Sequence, residues 1–180
     1  MNKPVQNSSL KKKALFLDRD GIINEDSEYP FKPEHIVFKK GIFKFCKSAI
    51  DKGYILVVVT NQAGIAKGYY SEDDVVFLHK WMENKFREQG IPIAKFYYCP
   101  FHIEGTIEQY KKDSPLRKPK PGMILLAAQE LDIDLKKSIM IGDKPSDRIE
   151  LKELKSIIVH SNYSGDNYDA ENIAAVEEMI

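Results

Sequence analysis

Short apolar runs alternate with amphipathic stretches along the 180 residues of this chain. Residues 14–17, 54–59, 93–98, 138–141 and 156–159 are mostly apolar or β-branched (Lys95, Ser138 and Ser156 are the exceptions), four to six residues long, and mostly bounded by polar or Gly/Pro positions. That pattern predicts five strands, because the runs are too short for buried helices. Between them lie helical periodicities. In 41–52, Ile42, Phe43, Phe45, Cys46, Ala49 and Ile50 fall at helical spacing before Gly53. A second helix is expected over 71–89, opened by Ser71 with Asp74 three residues on and stopped by Gly90. Further helices are expected over 121–131 and 146–154, with a short one inside 168–180. Residues 21–38 and 99–121 read as long connections, and 60–70 as a polar, glycine-bearing loop. Strands apolar on both faces, each followed by a helix, imply right-handed βαβ units and a parallel sheet. The expected class is α/β: a Rossmann-like three-layer sandwich with a mostly parallel sheet and no large cap domain.

Composition narrows the picture. Lys and Arg number 27 and Asp and Glu 27, so no global field favours nucleic acid or an anionic membrane. No apolar stretch approaches the roughly 18 residues of a membrane helix. Residues 1–13 are polar, then basic, without the apolar core of a secretory signal. The two cysteines, Cys46 and Cys99, fall in different elements and imply no disulfide framework. The expectation is a polar tail over 1–12 and one domain over 13–180, cytoplasmic and monomeric, with a small-molecule substrate.

The chemistry gathers where the apolar runs stop. Asp18 and Asp20 follow the first run, with Gly21 behind them. Ligands of parallel sheets collect at the strands' carboxyl ends, and two close carboxylates there call for a cation, a shared proton or solvent. Alone, Asp20-Gly21 also serves as a plain turn. The second run ends in Thr60-Asn61-Gln62-Ala63-Gly64, a hydroxyl and amides with a glycine that opens backbone N–H groups to an anion. The fourth ends in Gly142-Asp143-Lys144-Pro145-Ser146-Asp147, where Asp143 offers a third carboxylate and Ser146 or Asp147 is read as a helix cap. Lys118, in a proline-rich stretch, is read as a fixed ammonium. Three carboxylates, a hydroxyl and a lysine on one sheet edge suit a phosphoryl group bound with Mg²⁺.

In order, Asp18-Arg19-Asp20-Gly21, Thr60-Asn61-Gln62, Lys118 and Gly142-Asp143-Lys144-x-x-Asp147 resemble the four motifs of haloacid dehalogenase-type phosphatases. Longer stretches (16–24, 61–68, Cys99-Pro100-x-His102 and 117–123) resemble its heptose 1,7-bisphosphate phosphatase branch, with the histidinol-phosphate phosphatases close by. The resemblance covers roughly residues 13 to 160. It implies that Asp18 is the nucleophile, forming an aspartyl-phosphate, and Asp20 the acid and then the base. It also implies that Thr60 and Lys118 bind the transferring phosphoryl group, and that Asn61, Gln62, Arg117 and Lys144 bind substrate. Mg²⁺ is then held by Asp18, Asp20 (through its main-chain carbonyl) and Asp143, and Arg117 clamps the phosphate that is kept. The implied product feeds ADP- or GDP-heptose for surface glycans.

One departure stands out. Many members of the branch bind a structural zinc in the loop before the Lys motif. Here Cys99 remains, but Phe101, Ser114 and Leu116 stand where the other ligands would be, so no zinc is expected. The loop is then held by packing, and fine specificity rather than the chemistry is affected. Histidinol-phosphate hydrolysis is the runner-up activity. A catalytically silent protein fits poorly, since every implied catalytic residue is present, and neutral charge argues against a nucleic-acid 3′-phosphatase.

Overall fold

A computed structural model describes residues 10–180. The polar N-terminal stretch therefore lies, through residue 9, outside the described residues. Lys12 is already tied in: its N–H donates to the Asp132 carbonyl at 2.9 Å and its carbonyl accepts from Asp134 at 2.8 Å.

Five parallel strands form one sheet. In chain order the elements are β1 (Lys13–Leu17), α1 (Ile42–Asp51), β2 (Tyr54–Asn61), α2 (Ala63–Ala66), α3 (Glu72–Glu88), β3 (Ile93–Cys99), α4 (Gly122–Leu131), β4 (Ile139–Gly142), β5 (Lys155–Ile158) and α5 (Ile173–Glu177). The strand order is β3-β2-β1-β4-β5. The chain winds outward from β1 to β3, returns on the other side at β4, and so leaves β1 central with a topological switch point beside it.

Alternation along the strands builds the three layers. Leu15, Leu17, Leu56, Val58, Ile139 and Ile141 face one way, against Phe45 and Ala49 of α1, Leu78, Met82 and Phe86 of α3, and Val176 of α5. Ala14, Phe16, Val57, Val59 and Met140 face the other way, against Met123, Ile124 and Ala127 of α4. Both faces of every central strand are covered, which explains why the runs read as continuously apolar. The capping box at Ser71 forms as expected, with Ser71 Oγ accepting from the Asp74 N–H at 3.2 Å.

Two expectations need correction. The loop over 60–70 contains the short helix α2. More consequentially, no α-helix forms over 146–154; only a single 3₁₀ turn, Pro145–Asp147, is present. The reason is local competition for backbone donors. The Ile149 N–H donates to Ser156 Oγ at 3.1 Å and the Glu150 N–H to the Pro119 carbonyl at 2.9 Å, both outside the segment. Asp147 meanwhile turns its side chain inward, as described below, and caps only that 3₁₀ turn, its Oδ2 accepting from the Lys144 N–H. The short helix expected inside 168–180 forms as Ile173–Glu177.

Candidate active site

The register brings the motif residues together. Leu17 pairs with Val58 on one side and Ile141 on the other, and the Asp18 N–H donates to the Ile141 carbonyl at 2.9 Å. Asp18 thus leaves the sheet between the end of β2, which carries Thr60, and the end of β4, which leads to Asp143. All of Asp18, Asp20, Thr60, Lys118, Asp143 and Asp147 are buried.

Lys118 is the hub. Its Nζ lies 2.9 Å from Asp18 Oδ1 and 2.6 Å from Asp147 Oδ1. Burial alone would lower the Lys118 pKa, but the charges of Asp147 and Asp18 outweigh it and hold the ammonium charged. Asn61 fixes the lysine from β2: its Oδ1 accepts from the Lys118 N–H at 3.0 Å and its Nδ2 donates to the Lys118 carbonyl at 3.1 Å. Asn61 therefore positions Lys118 through its backbone.

Asp147, read from sequence as a helix cap, completes this network. Its Oδ2 accepts from the N–H groups of Asp143 and Lys144 at 3.1 and 3.0 Å, while Oδ1 takes Lys118. Gly142 makes room for it: a Cβ there would stand 2.1 Å from Asp147 Cγ. Gly142→Ala is accordingly expected to displace Asp147 and destabilise the chain by about 1–3 kcal/mol. A denaturant midpoint identical to the parent's would contradict this.

The carboxylates carry unequal burdens. Burial first, and the facing Asp147 charge second, push the Asp18 carboxyl up to about 7 against the pull of Lys118 and Lys144. Burial likewise pushes Asp143 up to about 6. Asp143 Oδ1 is buried with no hydrogen-bond partner. Gly21, at φ +93°, passes so near Asp143 that a Cβ would lie 2.2 Å from its carboxylate. Oxygens of Asp18, Asp143 and Asp147 lie within 4.8 Å of one another. Because Asp147 is already saturated by N–H donors, Asp18 and Asp143 are the two with oxygens to offer. An oxygen donor set, raised carboxyl pKa values and an orphaned carboxylate oxygen fit a hard divalent cation such as Mg²⁺.

Asp20 is in the opposite condition. Burial would raise it, yet Arg19 and Asn24 prevail and hold it below the usual carboxylate range. Gln62 is buried beside it, donating to Asp20 Oδ2 at 3.2 Å and Thr60 Oγ1 at 2.9 Å, while its Oε1 accepts from the Tyr70 hydroxyl at 2.8 Å. Gln62 thus links Thr60 and Asp20. Lys144 Nζ reaches Asp26 Oδ2 at 2.8 Å and lies 4.8 Å over the Tyr163 ring. Arg117 Nη1 donates to the Phe101 carbonyl at 3.4 Å.

Asp20, Asn61, Gln62 and Lys144 open onto a cleft of about 350 Å³, also lined by Asp26, Glu28, Tyr29, Tyr70 and Tyr163. The segment after His160 therefore edges the cleft, and Ser161 pins it there by donating to the Asp143 carbonyl at 2.6 Å. Around Cys99 the loop is packed: its thiol faces the Phe101 carbonyl at 3.8 Å, and Phe101 meets Tyr110 at 6.1 Å between ring centroids. Sequence reasoning gave no role to Arg19, Asn24, Tyr70 or His79, and placed Asp147 in the fourth motif without assigning it to Lys118. The available signal for Arg19 was its place between the two motif aspartates, Asp18 and Asp20.

The family model for polynucleotide kinase 3 phosphatase matches residues 14–175. A D-glycero-α-D-manno-heptose-1,7-bisphosphate 7-phosphatase of Burkholderia mallei is 52% identical over 138 residues, 77% of this chain and 73% of that protein. The D-glycero-β-D-manno-heptose-1,7-bisphosphate 7-phosphatase of Pasteurella multocida is 40% identical over 179 residues, covering 94% of this chain and 97% of its own. Among solved structures, the D,D-heptose 1,7-bisphosphate phosphatase of B. bronchiseptica, complexed with magnesium and phosphate, superposes with a TM-score of 0.76 at 23% identity, over 93% of this chain and 97% of that one.

Proposed function

This chain belongs to the haloacid dehalogenase-type phosphatases, among the relatives of the heptose-1,7-bisphosphate 7-phosphatases, and we propose that it removes the C7 phosphate of D-glycero-D-manno-heptose 1,7-bisphosphate. The observation that carries this reading is a buried Lys118 ammonium held between Asp18 and Asp147, with Asn61, which grips the Lys118 backbone, and Asp20 both lining an open polar cleft of about 350 Å³. The product would enter ADP- or GDP-heptose synthesis for surface glycans.

In this reading Asp18 attacks phosphorus through a carboxylate oxygen, and the bond to the sugar oxygen breaks. Asp20, whose carboxyl Arg19 and Asn24 hold low in the free site and the incoming phosphate's negative charge would raise, delivers a proton to that departing oxygen. The resulting aspartyl-phosphate is hydrolysed when Asp20 takes a proton from the attacking water. Lys118 and the Thr60 hydroxyl face the phosphoryl oxygens and offset the charge that builds there. Asp18 and Asp143, with the Asp20 main-chain carbonyl, would hold Mg²⁺, which supplies charge neutralisation between carboxylate and phosphate. Arg117, next in the chain to Lys118, would receive the retained phosphate. Lys144, paired with Asp26, would bind substrate at the cleft wall.

A second reading has one specific observation behind it. Glu28, Tyr29 and Tyr163 line the cleft, and carboxylate and aromatic groups suit an amine such as histidinol phosphate. Phosphate release with Mg²⁺ from heptose 1,7-bisphosphate, fructose 1,6-bisphosphate and histidinol phosphate separates the two. The expected kcat/KM is at least about 100-fold higher for the heptose bisphosphate, near 2.7 kcal/mol of discrimination. Comparable rates on all three would remove the heptose and keep the phosphatase.

A further inference from the structure

Arg19 has no solvent-exposed surface, although it is a full cation standing between Asp18 and Asp20. A buried guanidinium must place its N–H groups on acceptors, since each one left unpaired carries its whole desolvation penalty. Nε donates to Asp20 Oδ1 at 3.0 Å, and Nη2 donates to Asp20 Oδ2 at 2.8 Å and to the Pro30 carbonyl at 2.9 Å. On the far side Nη1 lies 3.3 Å from Nε2 of His79, a buried residue of α3. Arginine has no lone pair to accept with, so Nε2 is the acceptor and the ring proton sits on Nδ1. The ring is itself fixed, stacked on Phe96 at 4.7 Å and edge-on to Tyr98 at 5.8 Å. Burial, reinforced by the Arg19 charge, holds the imidazole well below its ordinary pKa and keeps it neutral.

We propose that His79 is a positioning residue for proton transfer: its neutral Nε2 fixes the rotation of the Arg19 guanidinium, so that the Nε–Nη2 edge grips Asp20 in one orientation. The inference rests on reading Asp20 as the acid and base of the phosphatase reaction. Four N–H contacts converge on the Asp20 carboxylate: two from Arg19, one from Asn24 at 2.9 Å and one from Gln62 at 3.2 Å. The two from Arg19 are the only charged ones among them, and they form a planar fork, so the plane of the guanidinium sets the plane of the carboxylate. Without an acceptor at position 79, Nη1–H is buried and orphaned, and the fork turns to satisfy it.

The test exploits the leaving group. The ratio kcat/KM covers steps through cleavage of the bond to the leaving oxygen. A sugar alkoxide needs a proton to depart, whereas p-nitrophenolate leaves without one. His79→Phe keeps an aromatic ring on Phe96 but has no acceptor. It is expected to lower kcat/KM for the heptose bisphosphate (or fructose 1,6-bisphosphate, if that is what the chain hydrolyses) by about 10-fold or more. For p-nitrophenyl phosphate the change should stay within about 3-fold, and His79→Gln, which restores an acceptor, should recover the sugar-phosphate rate. An equal loss on both substrates marks a structural role and overturns the proposal, as does no loss on either.

Asp20→Asn separates the premises. If it does not shift the ratio between the two substrates, the reading of Asp20 falls and this inference with it. If it shifts the ratio while His79→Phe does not, only the inference falls. Should His79→Phe not fold, His79→Ala assayed with added imidazole decides. His79 borders a surface groove of about 290 Å³ between α3 and β3, which gives the additive access. Recovery of the sugar-phosphate rate supports the proposal, and no recovery overturns it.

Discussion

Asp18→Asn is expected to lower turnover by about 10⁴-fold or more, with no compensation from the neighbouring carboxylates. Asp143 and Asp147 cannot take over the attack. Both oxygens of Asp147 are occupied by Lys118 and two backbone N–H groups, and Asp143 is set beyond the glycine that follows Asp20. The same substitution carries an opposite signature in stability. In the metal-free chain the Asp18 carboxyl is raised from 3.8 to about 7, so the folded state holds its proton where the unfolded state has released it. A raised carboxyl costs stability as pH climbs from about 4 to 7, because only the unfolded chain gains by ionising. Asparagine mimics the protonated form and escapes that cost. The difference in unfolding free energy between variant and parent should therefore move in the variant's favour over this interval, measured by denaturant titration at several pH values in chelator. A flat difference would show that Asp18 is not held protonated by burial.

Lys118→Met is expected to be the most destabilising single change at the site, by about 3–5 kcal/mol at pH 7.5, together with loss of turnover. The lysine is the shared cation of two buried carboxylates, at 2.9 and 2.6 Å, and a thioether leaves both without it. Its pKa is raised above the ordinary 10.5, so its contribution is fully present at neutral pH and fades only in strong alkali. Two further measurements distinguish this from simple misfit of the new side chain. At pH 5 the loss should shrink, since the stranded carboxyls can take up protons. Adding Asp147→Asn should return part of it at pH 7.5, since one uncompensated charge is gone. A loss equal at both pH values and unrelieved by the second substitution would assign the effect to packing.

The fold was legible because both faces of the central strands are buried: each run announced itself as continuously apolar, and each amphipathic stretch showed which side it covers. The clustering of the candidate site was legible for a related reason. Parallel strands end together, so polar residues that directly follow separate apolar runs are forced to one edge, and Asp18, Thr60 and Asp143 could be grouped without a structure. What stayed hidden was whatever depends on side chains reaching across the sequence. The segment over 146–154 has a helix-like composition, and nothing in it reveals that Ser156 and Pro119 claim its backbone donors. His79 looks like any other polar residue of α3 until Arg19 is found behind it. Asn61 and Gln62 were read as ligands of the substrate; they line the cleft, and the sequence did not reveal that their amides also hold Lys118, Thr60 and Asp20 in place.

The grip of Asn61 on Lys118 has a bearing on how this scaffold changes over evolutionary time. Both peptide groups of the lysine are fastened to the end of β2, so the loop upstream is moored at its exit. Substitutions and length changes between Cys99 and Arg117 can then reshape that loop without tugging on the Lys118 ammonium. Phe101, Ser114 and Leu116 all lie upstream of that mooring, so a change at any of them falls on the loop and leaves the lysine where β2 holds it.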